Sequence, residues 1–271
     1  MMTATDSGRL ADEGRRAAQR LYLDGLAGAA IDDPLDEAFA RAAVEEFSRL
    51  QREETPGIYR EAIEGAEQAA KDLDIDQFHG IVEVLQNADD AGATNLRLAL
   101  RPRGEDRTLL FAHDGSPIRL PDLVAMAVAF VSTKRDDAYK KGRFGIGLKT
   151  LRRLGATLEV HCGPYHASIR SNHLQPAAAA APIKGFWDPR RGETLLALRL
   201  DRNVDHREIS DWLERLGASA LLFLDSVRTV TLARARSFEN SVSLSLTEST
   251  ARSFNLRLGK LDLSCKQVRL S

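Results

Sequence analysis

Apolar positions change period several times along the chain, and each change predicts an element. Leu10, Ala17, Leu21 and Leu26 recur at helical spacing, as do Leu35, Phe39, Ala43, Phe47 and Leu50. Residues 8–54 therefore read as helix in two runs, the second starting at Asp33-Pro34. Pro56-Gly57 breaks the chain, and a third helix is expected over 58–71. Ile81, Val84, Leu85, Ala88 and Ala91 predict a helix over about 76–91 that stops at Gly92. The period then falls to two. Leu96, Leu98 and Leu100 alternate with polar residues, and a second strand runs from Thr108 to Ala112 after a turn at Gly104-Glu105-Asp106. A tight loop, His113 to Pro117, precedes a helix from Pro121 to about Phe130. Further on, the pattern predicts a helix over Ile146–Leu154, strands over 157–162 and 165–170, and a strand over 194–200. A helix over 206–223 and a strand over 227–233 follow. The alanine-rich stretch after Gln175-Pro176 reads as a surface loop acting as a passive spacer. Residues 238–271 alternate again and predict two or three more strands.

Antiparallel strands interleaved with helices define an α+β chain. The expected architecture is a two-layer sandwich, with helices on one face of a mixed, mainly antiparallel sheet. Three parts are expected: an N-terminal helical extension over 1–58, a central domain over 59–235, and a β-rich extension over 236–271 that begins a further domain. The chain ends on a strand-like stretch without a stop signal, so the expectation is a piece of a longer protein.

Composition narrows the class. The 271 residues are 43% hydrophobic and 28% charged, ordinary values for a soluble globular protein. There is no apolar run long enough to span a membrane and no secretory signal at the start, which points to the cytoplasm. Two cysteines, Cys162 and Cys265, form neither a disulfide framework nor a zinc spacing. His161 and His166 flank a Gly-Pro turn near Cys162 and read as strand side chains rather than a metal site. The net charge of −1 supports neither nucleic acid nor membrane as a partner. Charge is nevertheless uneven: residues 131–155 hold eight basic and two acidic side chains around a glycine-rich stretch. The basic excess in 228–271 reads as a solvated sheet face, not a DNA-processing surface.

Two features carry chemistry. On the helix of the EVLQNADDAG stretch, Glu83, Asn87 and Asp90 fall on one arc of roughly 60° opposite the apolar arc, whereas Gln86 and Asp89 point elsewhere. Downstream, Gly142, Gly145 and Gly147 lead into a helix. Backbone without side chains approaches a phosphate closely, and helix N–H groups favour an anion. Lys134, Lys140, Lys141, Arg143 and Lys149 add positive charge. Neither a P-loop nor a dinucleotide fingerprint is present. Residues 132–143 have little apolar surface to bury and are expected to be mobile without a ligand.

In order, the helix with Glu83 and Asn87, the Asp114-Gly115 loop, the glycine-rich segment and Gly192-Glu193-Thr194 resemble the GHKL superfamily of gyrase, heat-shock ninety-kilodalton chaperones, histidine kinases and MutL. The sacsin-type and NO VEIN-type branch is most similar. It carries QNADDA, an F-x-H-[DN]-G-x-P loop, a Ser-Thr-Lys entry and G-x-F-G-x-G-x-K, here Ser132-Thr133-Lys134 and Gly142 to Lys149. The resemblance covers about residues 60–235 and implies a Bergerat-type domain that binds ATP with a magnesium ion.

By that resemblance Asn87 coordinates the magnesium ion and Glu83 orients or deprotonates the attacking water. Asp90 contacts the nucleotide or its waters, and Thr194 reaches the adenine end. The phosphate-holding set is Gly142, Phe144, Gly145, Ile146, Gly147 and Lys149, with Ser132, Thr133 and Lys134 at the entry to a lid. One position departs from the wider superfamily. Aligning Gly115 with the glycine of Asp-x-Gly puts His113 at the adenine-reading position and Asp114 one residue late, so which of the two touches the base stays open. Expected partners are an adenine nucleotide and further domains or a protein partner, with a nucleotide-dependent dimer. The alternative is a nucleotide-binding scaffold with negligible turnover. A histidine-kinase reading is disfavoured because the first histidine is His79, leaving no upstream phosphoacceptor.

Overall fold

A computed structural model describes residues 4–28, 30–54, 78–101, 107–128, 150–216, 224–233, 241–250, 253–258 and 261–266. The alternating leucines do what period two requires. Strands β1 (Asn95–Arg101) and β2 (Thr108–His113) pair antiparallel, and β6 (Thr194–Arg199) pairs on the other side of β2. Next come β3 (Thr157–Cys162), β4 (Tyr165–Arg170) and β5 (His173–Pro176), also antiparallel. On the far side of β1 lie β7 (Thr229–Ala233), β8 (Ser241–Thr250), β9 (Ser253–Leu258) and β10 (Leu261–Lys266). The order is β10-β9-β8-β7-β1-β2-β6-β3-β4-β5, and β1 with β7 is the parallel pair. The sheet is thus mixed and mainly antiparallel, as the pattern predicts.

The register builds continuous apolar rows. Leu100, Leu109, Leu198, Leu158, Ile169 and Leu174 face one another in turn across six strands. The next row is Leu98, Phe111, Leu196, Val160 and Ala167. Most of these side chains are fully buried, each contributing about 1.5–3 kcal/mol of hydrophobic stabilisation. Helices cover this face: α1 (Ala4–Gly28), α2 (Glu37–Glu53), α3 (His79–Asp90), α4 (Leu120–Ala127) and α5 (His206–Leu216). Their apolar sides and the two rows form a single core. Helices α1 and α2 pack against each other, and α2 lies on β4 and β5. Gln51 of α2 accepts from Leu174 N at 2.8 Å and donates to Asn172 O at 3.0 Å, closing backbone groups at the sheet edge.

Three sequence expectations shift. Helix α2 starts after Asp36, whose carboxylate accepts from Ala38 N and Phe39 N, and not at Asp33. Asp33 is instead a buried tie: its carboxylate accepts from Leu120 N at 2.9 Å and from the Tyr165 hydroxyl at 2.6 Å. The stretch after Gln175-Pro176 is no passive spacer. It folds over the other face of the sheet and buries Phe186 and Trp187 against Ala99, Leu110, Ala112 and Leu195. A 3-10 turn, Leu151–Arg153, stands at the end of the segment expected as a helix over 146–154. Residues 146–149, the helix expected over 58–71 and the end of the 206–223 helix beyond 216 lie outside the described residues. Among the described residues, no helix is long and apolar enough to cross a membrane.

Candidate functional site

Helix α3 is built by Ile81, Val84, Leu85 and Ala88, which are all buried. It ends in a left-handed cap. Ala93 N donates to Ala88 O and Gly92 N to Asp89 O, with Gly92 at φ +73°, a conformation that glycine adopts without strain. Glu83, Asn87 and Asp90 share one stripe as the periodicity predicts, and all three are half-buried. His79, one turn before Glu83, joins the stripe: its Nε2 lies 3.0 Å from Glu83 Oε1.

Asp89 points away from that stripe. Its carboxylate is buried and accepts from three consecutive backbone N–H groups, Asp225 at 3.0 Å, Ser226 at 2.6 Å and Val227 at 3.0 Å. This ties α3 to the entrance of β7. The sequence separates these partners by more than 130 residues, so no local pattern could have revealed the role.

Gly80 sets how the next segment approaches. A Cβ there would stand 2.2 Å from Leu151 N and 2.4 Å from Leu151 Cα, so only glycine admits this contact. The backbone at 150–151 therefore rests on the first turn of α3, at Gly80. Ser132, Thr133, Lys134, Gly142, Phe144, Gly145, Ile146, Gly147 and Lys149 all lie outside the described residues.

At the end of the sheet the leucine rows give way to a polar one: Leu96, His113 and Thr194 stand in register across β1, β2 and β6. His113 is 6% exposed and Thr194 is 0% exposed. Burial pulls the His113 imidazole down to about 4, against the opposing pull of the neighbouring Asp114 charge. The ring is neutral at pH 7. Its Nδ1 accepts from Gly115 N at 3.2 Å, which leaves Nε2 to carry the proton. Thr194 donates its hydroxyl to Cys162 Sγ at 3.1 Å, and Ile118 N donates to the same sulfur at 3.2 Å. Burial pushes the Cys162 thiol up, keeping it protonated.

Asp114 is used locally. Its carboxylate accepts from Thr94 N, Thr94 Oγ1, Asn95 N and Asn95 Nδ2, all within 2.8 Å. Partial burial favours the protonated acid, but these four bonds outweigh it and hold the group at about 2. Of the two candidates in this loop, Asp114 thus braces the turn while His113 lies in the buried row. Gly115 packs under the end of α3, 3.1 Å from Ala91 O for an added Cβ, and Ser116 N donates to that carbonyl at 2.8 Å. The loop and the polar helix are therefore one unit.

On the opposite face, Arg97 Nη2 meets Glu193 Oε1 at 2.7 Å, and Trp187 Nε1 donates to Glu193 O at 3.0 Å. His161 and His166 pair through their Nδ1 atoms at 3.2 Å on β3 and β4. Cys162, next in β3, engages Thr194 instead, so these three residues do not converge. Among the described residues, no group of three or more His, Cys, Asp or Glu is arranged to hold a metal ion. A magnesium ion on this stripe would take the Asn87 amide oxygen and complete its shell with phosphate and water, as magnesium does beside nucleotides. Residues that sequence reasoning missed are His79, Asp89 and Cys162; only His79, at i−4 from Glu83, carried a signal that could have found it.

Comparison of the chain with protein-family models gives no match, and neither does comparison with curated proteins.

Proposed function

We propose that this protein is a GHKL-type module that binds ATP with magnesium and hydrolyses it. The observation that carries the reading is the half-buried stripe of Glu83, Asn87 and Asp90 on one side of α3, an amide and two carboxylates on a single helix face. The sequence adds a glycine- and lysine-rich run over 134–149, an anion-binding composition. The two together suit a metal-bound polyphosphate better than a solvated surface. In this reading Asn87 offers its amide oxygen to the magnesium ion, and Asp90 binds the nucleotide or its ordered water. Glu83 takes the proton of the attacking water, with His79 holding its carboxylate. At the end of the sheet His113, the accessible polar member of its row, faces the base, while Thr194 lies behind it with its hydroxyl held by Cys162. A cytoplasmic, reducing setting suits Cys162, a buried free thiol.

Titration calorimetry with adenosine triphosphate, with and without magnesium, tests this directly. Magnesium-dependent binding that Asn87→Ala weakens is the expected result. Absence of any heat with the wild-type chain, together with an unchanged melting temperature at millimolar nucleotide, would falsify the reading.

A further inference from the structure

We infer that His113 offers the base a hydrogen-bond donor, so that the site reads an acceptor atom on a purine edge and does not select for the 6-amino group. The inference rests on the nucleotide reading above and concerns which bases that site accepts.

Three observations carry it. His113 and Thr194 interrupt the helix-facing leucine rows of β1, β2 and β6, at the end of the sheet braced by α3. Of the two, Thr194 is wholly inaccessible and has given its hydrogen to Cys162 Sγ, whereas His113 keeps some exposed surface. His113 is thus the polar group of this row that a ligand can meet. Its polarity is fixed by the loop. Gly115 N–H occupies the Nδ1 lone pair, and a neutral ring then has its N–H at Nε2.

A carboxylate at this place would accept only, and so would require an N–H on the base. A ring N–H requires the reverse. Adenine meets it with N1 and hypoxanthine with O6, both acceptors at the same edge of the purine. The neighbouring carboxylate does not restore the missing acceptor, because Asp114 spends both oxygens on Thr94 and Asn95. Selection by the 6-amino group is therefore absent. A site that leaves a buried polar group unpaired loses roughly tenfold or more in affinity, and neither purine incurs that loss here.

The experiment compares the magnesium complexes of adenosine, inosine and 6-deaminated purine riboside triphosphates by calorimetry on the whole chain. The expected result is three dissociation constants within about fivefold of one another. His113→Asp, which replaces the donor by an acceptor, should then favour adenosine over inosine triphosphate by about tenfold. A wild-type preference for adenosine above fivefold overturns the inference while leaving nucleotide binding intact. So does a folded His113→Asp variant with wild-type selectivity. If the wild type binds none of the three, the nucleotide reading itself fails, and the inference with it. The wild-type series decides the matter alone if His113→Asp does not fold.

Discussion

His113 and Thr194 stand directly opposite each other across the β2–β6 ladder, in a row whose neighbours are leucine, phenylalanine and valine. A sheet face that buries leucine at nearly every other crossing has no packing reason to place two polar side chains side by side. Each is made tolerable by a local partner, Gly115 N–H for the imidazole and Cys162 Sγ for the hydroxyl. The pair marks the end of the sheet where hydrogen-bonded polar side chains replace apolar packing.

Burial of His113 makes stability depend on pH in a stated direction. The folded ring titrates near 4 against an ordinary 6.5, so the unfolded chain binds more protons between those values. The stabilisation is complete above about 6.5 and is lost as pH falls to about 4, on the order of 2–3 kcal/mol in all. Asp114, held near 2 from 3.8, adds a separate loss at still lower pH. Urea unfolding at pH 7, 5.5 and 4 should show the wild type losing more stability than His113→Leu across that range. Parallel pH curves for the two proteins would sink the assignment.

Asp89→Ala should be among the most damaging single changes in the chain. It leaves three N–H groups without their acceptor, on the exposed Asp225, the half-buried Ser226 and the buried Val227. Each donor orphaned away from water costs about 1–3 kcal/mol, and hydration of the exposed one with relaxation of the loop recovers part of that. A net loss of about 3 kcal/mol is expected, with faster amide exchange at 225–230. A loss below about 1 kcal/mol would mean the loop is held by something else.

On the proposed reading, variants of Glu83 and His79 separate catalysis from binding. Glu83→Gln keeps the shape and removes the base, so turnover should fall about 10²-fold while nucleotide affinity stays within a few-fold. His79→Ala removes the contact at 3.0 Å that orients the carboxylate. It should lower kcat by a smaller factor, about tenfold, and leave KM nearly unchanged. Steady-state phosphate release, under conditions where the wild type turns over, checks both. Retained turnover in Glu83→Gln would require a different base, with Asp90 next to test.

The legible parts were those with a period. The leucines of β1 and β2 and the stripe of Glu83, Asn87 and Asp90 follow from spacings of 2 and 3.6, because neighbours in those patterns are neighbours in space. Asp114 and Asp89 were not legible. Both lie in an acidic, turn-like context, yet one caps Thr94 and Asn95 and the other binds backbone across 136 residues of sequence. Whether a carboxylate serves a ligand or the fold depends on such distant N–H groups. The cover formed by Phe186 and Trp187 was hidden for the same reason: its alanine-rich flank has no period, and its anchor, Glu193, is buried only once Arg97 is opposite.

Two helical glycines give opposite predictions for the same substitution. Gly8, on an exposed face of α1, has no atom within 4 Å of where a Cβ would stand. Gly8→Ala should stabilise the protein by about 0.5–1 kcal/mol, the ordinary gain of alanine over glycine in a helix. Gly80→Ala should do the reverse. Its methyl group would meet Leu151 N at 2.2 Å, Leu151 Cα at 2.4 Å and Thr150 C at 2.8 Å, all of them backbone atoms. No rotamer change relieves such contacts, so α3 and the 150–151 backbone must move apart, at a cost of about 1–3 kcal/mol. On the proposed reading α3 carries the ligand stripe, so its displacement should lower nucleotide affinity in Gly80→Ala although no polar side chain is touched, while Gly8→Ala keeps the wild-type value. Thermal melts with and without magnesium nucleotide measure both effects in one series. A Gly80→Ala protein that melts lower yet keeps the full nucleotide-induced rise would show that the 150–151 contact serves the fold alone.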